Sequence, residues 1–307
     1  MSLRSDLRQI FDLGGLSVRE LVQRVVREMI EDEVSGYAAQ LAYYFLFALF
    51  PFFIFLTALL GYIPIPDLLD KIMQLLMEFV PREAAQVVED NVFALVSQQR
   101  GGLLSFGILL ALWSASGAVA AITDSLNRAY GVREGRPFWK ARGTAILLTV
   151  GLAAMIILSM VFLIVGPGLI SHVAGWIGLG PVFEVLWLVL RWPIIVVMMI
   201  LSVATIYYFA PDVEQRWRWI TPGAVFAVVM WLVVSVLFGV YAEKFGQYNK
   251  TYGSIGAVIV LLMWMYLSGL SLLIGGEINA EIEHAAPGGK DEGEKSMSHK
   301  GLHRARA

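Results

Sequence analysis

The chain has 307 residues, of which 58% are hydrophobic and 16% charged, and its formal net charge is −2. Soluble domains carry about 45–50% apolar and about 25% charged residues, so the composition excludes a soluble enzyme and predicts one membrane domain. Near-neutral charge removes the basic field of a non-specific nucleic-acid binder, and the absence of cysteine removes disulfides, thiolate zinc sites and iron–sulfur clusters.

The first 36 residues hold no apolar core followed by a small-residue cleavage site. No cleavable signal peptide is expected, and the first span serves as its own insertion signal. Within this segment Ser17-Val-Arg-Glu20 fits a capping box. Leu21, Val22, Val25, Val26, Met29 and Ile30 then recur at helical spacing. Residues 1–36 read as a cytoplasmic amphipathic segment. Its helix lies under the bundle or on the inner leaflet, or is an ordinary packed surface helix.

A helix needs about 20 mostly apolar residues to cross about 30 Å of hydrocarbon. Six runs qualify, at 37–63, 103–123, 143–169, 182–210, 221–241 and 255–276. The expected fold is an all-α polytopic membrane bundle, with a six-span domain over 37–284 and a flexible Gly-, Lys- and Glu-rich tail over 285–307. Between the first two runs, 64–102 predicts two external amphipathic helices, opened by Pro66 and Pro81 and too short to span. Gly166-Pro-Gly168 and Gly275-Gly276 read as breaks or ends of spans. Pairs such as Gly223/Ala227 and Ser235/Gly239 permit close helix approach.

Seventeen Lys and Arg residues fall on one side of these spans and five on the other, with Arg191 inside a run. That bias places both termini in the cytoplasm.

Intramembrane polar groups are costly and are functional candidates by default. Tyr37, Gln40, Tyr44 and Pro51 share one face of the first span, lining a cavity or making a packing hydrogen bond. Asp124, Asn127 and Arg128 end the second span, with Asp124 and Arg128 spaced to pair with each other. Glu277, Asn279 and Glu281 end the sixth. Gln40, Asp124, Asn127, Arg128 and Glu277 are expected at similar depth. Either they form a polar cluster closing the inner end of a cavity, or they are interfacial residues in water and headgroups. Spans two and six also align weakly at an offset of 152, matching Asn127 with Asn279, as chance similarity between apolar helices would. Arg191, two turns after Glu184, either sits well inside a helix starting near Val182 or marks the outer interface of a span starting at Pro193. The second reading is preferred, because Pro suits a first helical position and the flanking Trp187 and Trp192 suit an interface.

Several blocks carry a resemblance. Tyr37-Ala-Ala-Gln-Leu-Ala-Tyr-Tyr-Phe45 leads to Phe50-Pro51. Leu112-Trp-Ser-Ala-Ser116 precedes Asp124-Ser-Leu-Asn-Arg-Ala-Tyr-Gly131. Arg216-Trp-Arg-Trp-Ile-Thr-Pro-Gly223, Tyr248-Asn-Lys-Thr-Tyr-Gly-Ser-Ile-Gly256, Trp264-Met-Tyr266 and Gly276-Glu-Ile-Asn279 follow. In this order they resemble the YihY/BrkB family of membrane proteins. The resemblance implies a six-span bacterial inner-membrane protein. It implies no settled activity, since the family has carried ribonuclease BN, virulence-factor and transporter labels.

The residues argue against the nuclease. The four histidines are His172, on the external side, and His284, His299 and His303, in or beside the tail. No His and carboxylate cluster of metal-ligand spacing and no phosphate loop is present. The expectation is therefore a transporter or exporter whose substrate the sequence does not name, in one version a lipid or amphipathic molecule, with an ion- or proton-coupled carrier and a non-transporting envelope scaffold as rivals. No catalytic residue, metal or cofactor is expected. The expected partners are membrane lipids and not nucleic acid, and the sequence admits a homo-oligomer.

Overall fold

A computed structural model describes residues 13–60, 101–164, 180–245, 249–286 and 289–296. Seven helices and no strand occur among the described residues: α1 (Val18–Glu31), α2 (Val34–Leu60), α3 (Gly101–Ala129), α4 (Phe138–Ile164), α5 (Gly180–Phe209), α6 (Trp217–Phe245) and α7 (Asn249–Ala285). Stretches of α3, α4, α5, α6 and α7 are long and apolar enough to cross a membrane. The described part of each of the six expected runs falls on one helix, although the described apolar stretch of α2 is the shorter Val34–Leu49. The amphipathic helices expected at 64–102 lie almost wholly outside the described residues, as does Gly166-Pro-Gly168.

The chain divides into two compact units, residues 44–115 and the remainder. The smaller unit holds the latter part of α2 and the first part of α3, with Phe47, Phe106, Leu109 and Trp113 exposed. The larger unit carries the sites described below.

In the larger unit α7 is the helix on which others converge, and glycines make this possible. In lipid, apolar side chains gain little by leaving the hydrocarbon for each other, so close backbone approach must supply the attraction. At Gly269, an added Cβ would come 3.2 Å from Leu41 Cβ of α2. At Gly275, it would come 2.6 Å from the Gly223 carbonyl and 2.8 Å from Ala227 Cβ, both on α6. At Gly276, it would overlap the Leu126 side chain of α3. The Tyr207 hydroxyl of α5 donates to the Leu272 carbonyl. Higher along the α6–α7 contact, Trp231 Nε1 donates to Ser268 Oγ at 3.0 Å and Trp264 Nε1 to Ser235 Oγ at 3.4 Å. Helix α4 joins through α5, where Ser159 Oγ lies 3.6 Å from Met198 Sδ and Ser202 Oγ 3.1 Å from Met155 Sδ.

Four boundaries differ from the sequence expectation. Helix α3 continues past 123 to 129, because its stop signal is Gly131 at φ +63°. Gly131 donates to the Arg128 carbonyl at 2.8 Å and Val132 to that of Asn127 at 2.9 Å, the paired bonds of a Schellman cap. Helix α7 runs through Gly275-Gly276 to 285, since those glycines serve approach rather than termination. Pro193 lies inside α5, which begins at Gly180, so it does not take the first position of the helix. Residues 289–296, expected to be flexible, pack against the bundle through a fully buried Lys290. The capping box at α1 is present: Ser17 N donates to Glu20 Oε2 at 2.9 Å and Glu20 N to Ser17 Oγ at 3.3 Å.

The packing role of the glycines is testable. Gly275→Val should destabilise by at least about 1–3 kcal/mol through overpacking. Gly151→Ala, inside α4 with open space around it, should hold or raise stability, by up to about 1 kcal/mol, because Ala is favoured over Gly inside a helix. Thermal unfolding in detergent reads both.

Candidate functional site

The last turns of α7 carry four buried polar side chains, Glu277, Asn279, Glu281 and Glu283. Buried polar groups in such a helix need partners. Asn279 Oδ1 accepts from Gly223 N at 2.8 Å, one residue past Pro222, which interrupts the α6 ladder. Glu281 lies 3.5 Å from Arg24 of α1. Glu283 pairs with Lys290 Nζ at 2.6 Å, and both are essentially inaccessible to solvent. Lys290 also donates to the Glu214 carbonyl and lies 5.5 Å from the Tyr130 ring, whose edge meets His284 at 5.9 Å. Glu277 differs from these three. It is 1% exposed, its Oε2 makes no hydrogen bond, and unlike Glu281 and Glu283 it faces no cation in an ion pair among the described residues.

A second polar network closes the loops at the same end of the larger unit. Asn127 Oδ1 accepts from Asp212 N at 2.7 Å, and its Nδ2 donates to Glu134 at 3.2 Å. Arg136 binds Glu134 at 2.7 Å and donates to the Ala210 carbonyl at 2.7 Å. Asp212 accepts from Gly135 N at 2.9 Å and pairs with Lys295 at 2.5 Å. One asparagine at the end of α3 thereby staples the 130–137 loop to the 210–216 loop, and residues 289–296 strap across both. Asn127 and Asn279, matched by the weak repeat, each accept a backbone N–H beside the α5–α6 connection.

The five-residue polar cluster is not assembled. Asn127 and Glu277 are buried, whereas Gln40, Asp124 and Arg128 are exposed. Arg128 does not pair with Asp124. It reaches Asp32 at 3.6 Å and Glu33 at 3.7 Å, and lies 5.9 Å from the Tyr37 ring. The turn between α1 and α2, with Glu33 at φ +53°, presents these carboxylates to it. Tyr44 is half-buried in the smaller unit. The Glu184 side chain lies outside the described residues, and the Arg191 guanidinium lies 5.4 Å from the Trp192 ring. Sequence reasoning missed Glu134, Arg136, Asp212, Glu283, Lys290 and Lys295. Their signal was the mixing of acids with bases in short connections, where topology alone asks only for bases. Among the described residues no group of three or more His, Asp or Glu is placed to hold a metal ion.

Two carboxylates outside the spans shift in opposite senses. Hydrogen bonds from Arg136 hold Glu134 down at about 2, while burial pushes Asp32 up to about 6 against the pull of Arg128. Glu134 therefore contributes stability above the ordinary glutamate value, lost as pH falls through about 2. Asp32 contributes below the ordinary aspartate value, and that contribution is lost as pH rises through about 6. Glu134→Gln should cost about 1–3 kcal/mol near neutral pH, with the gap to wild type closing in acid. Asp32→Asn should remove the part of the stability loss that wild type shows between about pH 4 and 6. Thermal unfolding followed from about pH 2 to about pH 7 checks both.

The family described as Virulence factor BrkB matches residues 25–300. The putative ribonuclease-like protein YfkH of Bacillus subtilis is 39% identical over 248 residues, covering 81% of this chain and 90% of that protein. A UPF0761 membrane protein of Tolumonas auensis is 26% identical over 270 residues, covering 83% of each. No solved structure matches the chain. A family match over most of the length, on a bundle of long apolar helices, makes the chain an integral membrane protein of the BrkB (YihY/BrkB) family.

Proposed function

We propose that the chain is a transporter or exporter in the bacterial inner membrane, with both termini cytoplasmic, six spans, and Glu277 as the group that takes up and releases a proton or cation during the cycle. The observation that carries this reading is Glu277 itself, 1% exposed on a spanning helix and with Oε2 unpartnered among the described residues. Burying such a group costs several kcal/mol. A purely structural position would be served equally well by leucine. Glu281 and Glu283 each face a cation and Asn279 Oδ1 accepts a backbone N–H, so Glu277 is the carboxylate on these turns left without a counter-charge among the described residues and open to a moving ligand. Gly275 and Gly276, directly before it, let α6 and α3 lie close enough for small shifts of α7 to change its surroundings.

This favours the ion- or proton-coupled version over a carrier without an ionisable group. The transported substrate is proposed only by class, as a lipid or other amphipathic molecule moving along the apolar flanks of the helices. The non-enzymatic reading is likewise ours, resting on the lack of a ligand cluster of nuclease type in the sequence.

The test is a liposome assay of wild type and Glu277→Gln, following lipid scrambling and ion flux in parallel. Wild type should move at least one. Glu277→Gln should elute as the same species, lose at least about tenfold of the rate, one barrier step of about 1.4 kcal/mol, and lose the pH dependence. A wild type that moves neither, or a variant indistinguishable from it, would overturn the proposal.

A further inference from the structure

Helix α1 divides into three arcs. Leu21 and Val25 are buried against Ile274 and Ile282 of α7, with Leu270 and Ile278 packed beside them. Arg24, Arg27 and Glu31 occupy a polar arc, where Arg24 reaches Glu281 and Arg27 reaches Glu28 and Glu31. Between these lies an arc that the bundle does not use. Val18, Val22, Val26 and Ile30 are 68%, 55%, 51% and 74% exposed. Spaced four apart at about 100° per residue, they drift about 40° per step and form one continuous apolar stripe roughly 120° wide.

The depth of α1 says what covers that stripe. Its packed face rests on Leu270, Ile274, Ile278 and Ile282, all inside the span Val258–Ala285. A helix seated on that stretch of a spanning helix lies at the level of the bilayer and not in bulk water. Its charges are balanced, with Arg19, Arg24 and Arg27 against Glu20, Glu28 and Glu31. The stripe is therefore suited to insertion by its apolar side chains and not to capture of an anionic headgroup.

We infer that the Val18, Val22, Val26 and Ile30 face of α1 is a lipid-binding surface, inserted into the headgroup and acyl-chain boundary of the leaflet beside the end of α7. One helix then holds the bundle on one side, lipid on the next and water on the third. This inference is independent of transport.

The chain lacks cysteine, so single nitroxide labels can be placed at Val18→Cys, Val22→Cys, Val26→Cys and Ile30→Cys, with Glu31→Cys on the polar arc as the aqueous control. All five positions are exposed. In phosphatidylcholine vesicles, the ratio of oxygen to nickel-chelate collision rates should be severalfold higher at the four stripe positions than at Glu31. A stripe as open to nickel as Glu31 would place it in water and overturn the inference. So would immobile labels reached by neither reagent, which would mean cover by another part of the chain, or spin–spin broadening, which would mean a second copy.

Discussion

Inside a bilayer a helix gains little by exchanging lipid for another apolar side chain, so backbones must come close for a bundle to hold. In this chain that constraint falls on α7. Gly269 admits α2, Gly275 admits α6 and Gly276 admits α3, while Tyr207 ties α5 to the same helix through the Leu272 carbonyl. The polar ends of the larger unit are organised from this axis, since Asn279 reaches Gly223 only because Gly223 and Gly275 lie in contact.

Close approach also explains how α7 can bury so many polar groups near its end. Three of them meet an element the packing brings within reach: Arg24 from α1, Gly223 from α6, Lys290 from the strap. A fully buried pair such as Glu283 and Lys290 adds little net stability, because desolvation offsets most of the attraction. Its effect is to specify one register for the strap, which Lys295 and Asp212 fix a second time. Removing one partner would leave an isolated buried charge, so such pairs tolerate loss poorly. Glu277, outside this accounting, is the exception that points to function.

The helices were legible because apolar runs of sufficient length have few alternatives in water or lipid. The capping box at Ser17 and the close-approach role of Gly223 and Ala227 were legible too, since each depends on local spacing. The polar positions near the ends of α3 and α7 were readable, and of these Asn127, Glu277 and Asn279 are buried while Asp124 and Arg128 are exposed. Rotation about the helix axis was not. Asp124 and Arg128 share a face, as their spacing demands, but the side of α3 that meets α7 is the one bearing Leu126. Helix ends were misplaced at Gly131, whose local cap lies beyond the apolar run, and beyond Gly276, where close packing and not termination uses the glycines. The strap was missed because a Gly-rich segment has no periodicity, and Lys290 and Lys295 looked like ordinary topology charges until Glu283 and Asp212 were placed beside them.

The role of α7 as the common axis can be measured directly, because the chain has no native cysteine to interfere. An added Cβ at Gly269 would lie 3.2 Å from Leu41 Cβ, near the separation of about 3.5–4.5 Å that a disulfide requires. The pair Leu41→Cys and Gly269→Cys should therefore cross-link under mild oxidation in native membranes, giving a shifted band that reductant reverses. Failure to form that bond, while the same protein remains folded and both thiols react with a small maleimide, would contradict the account.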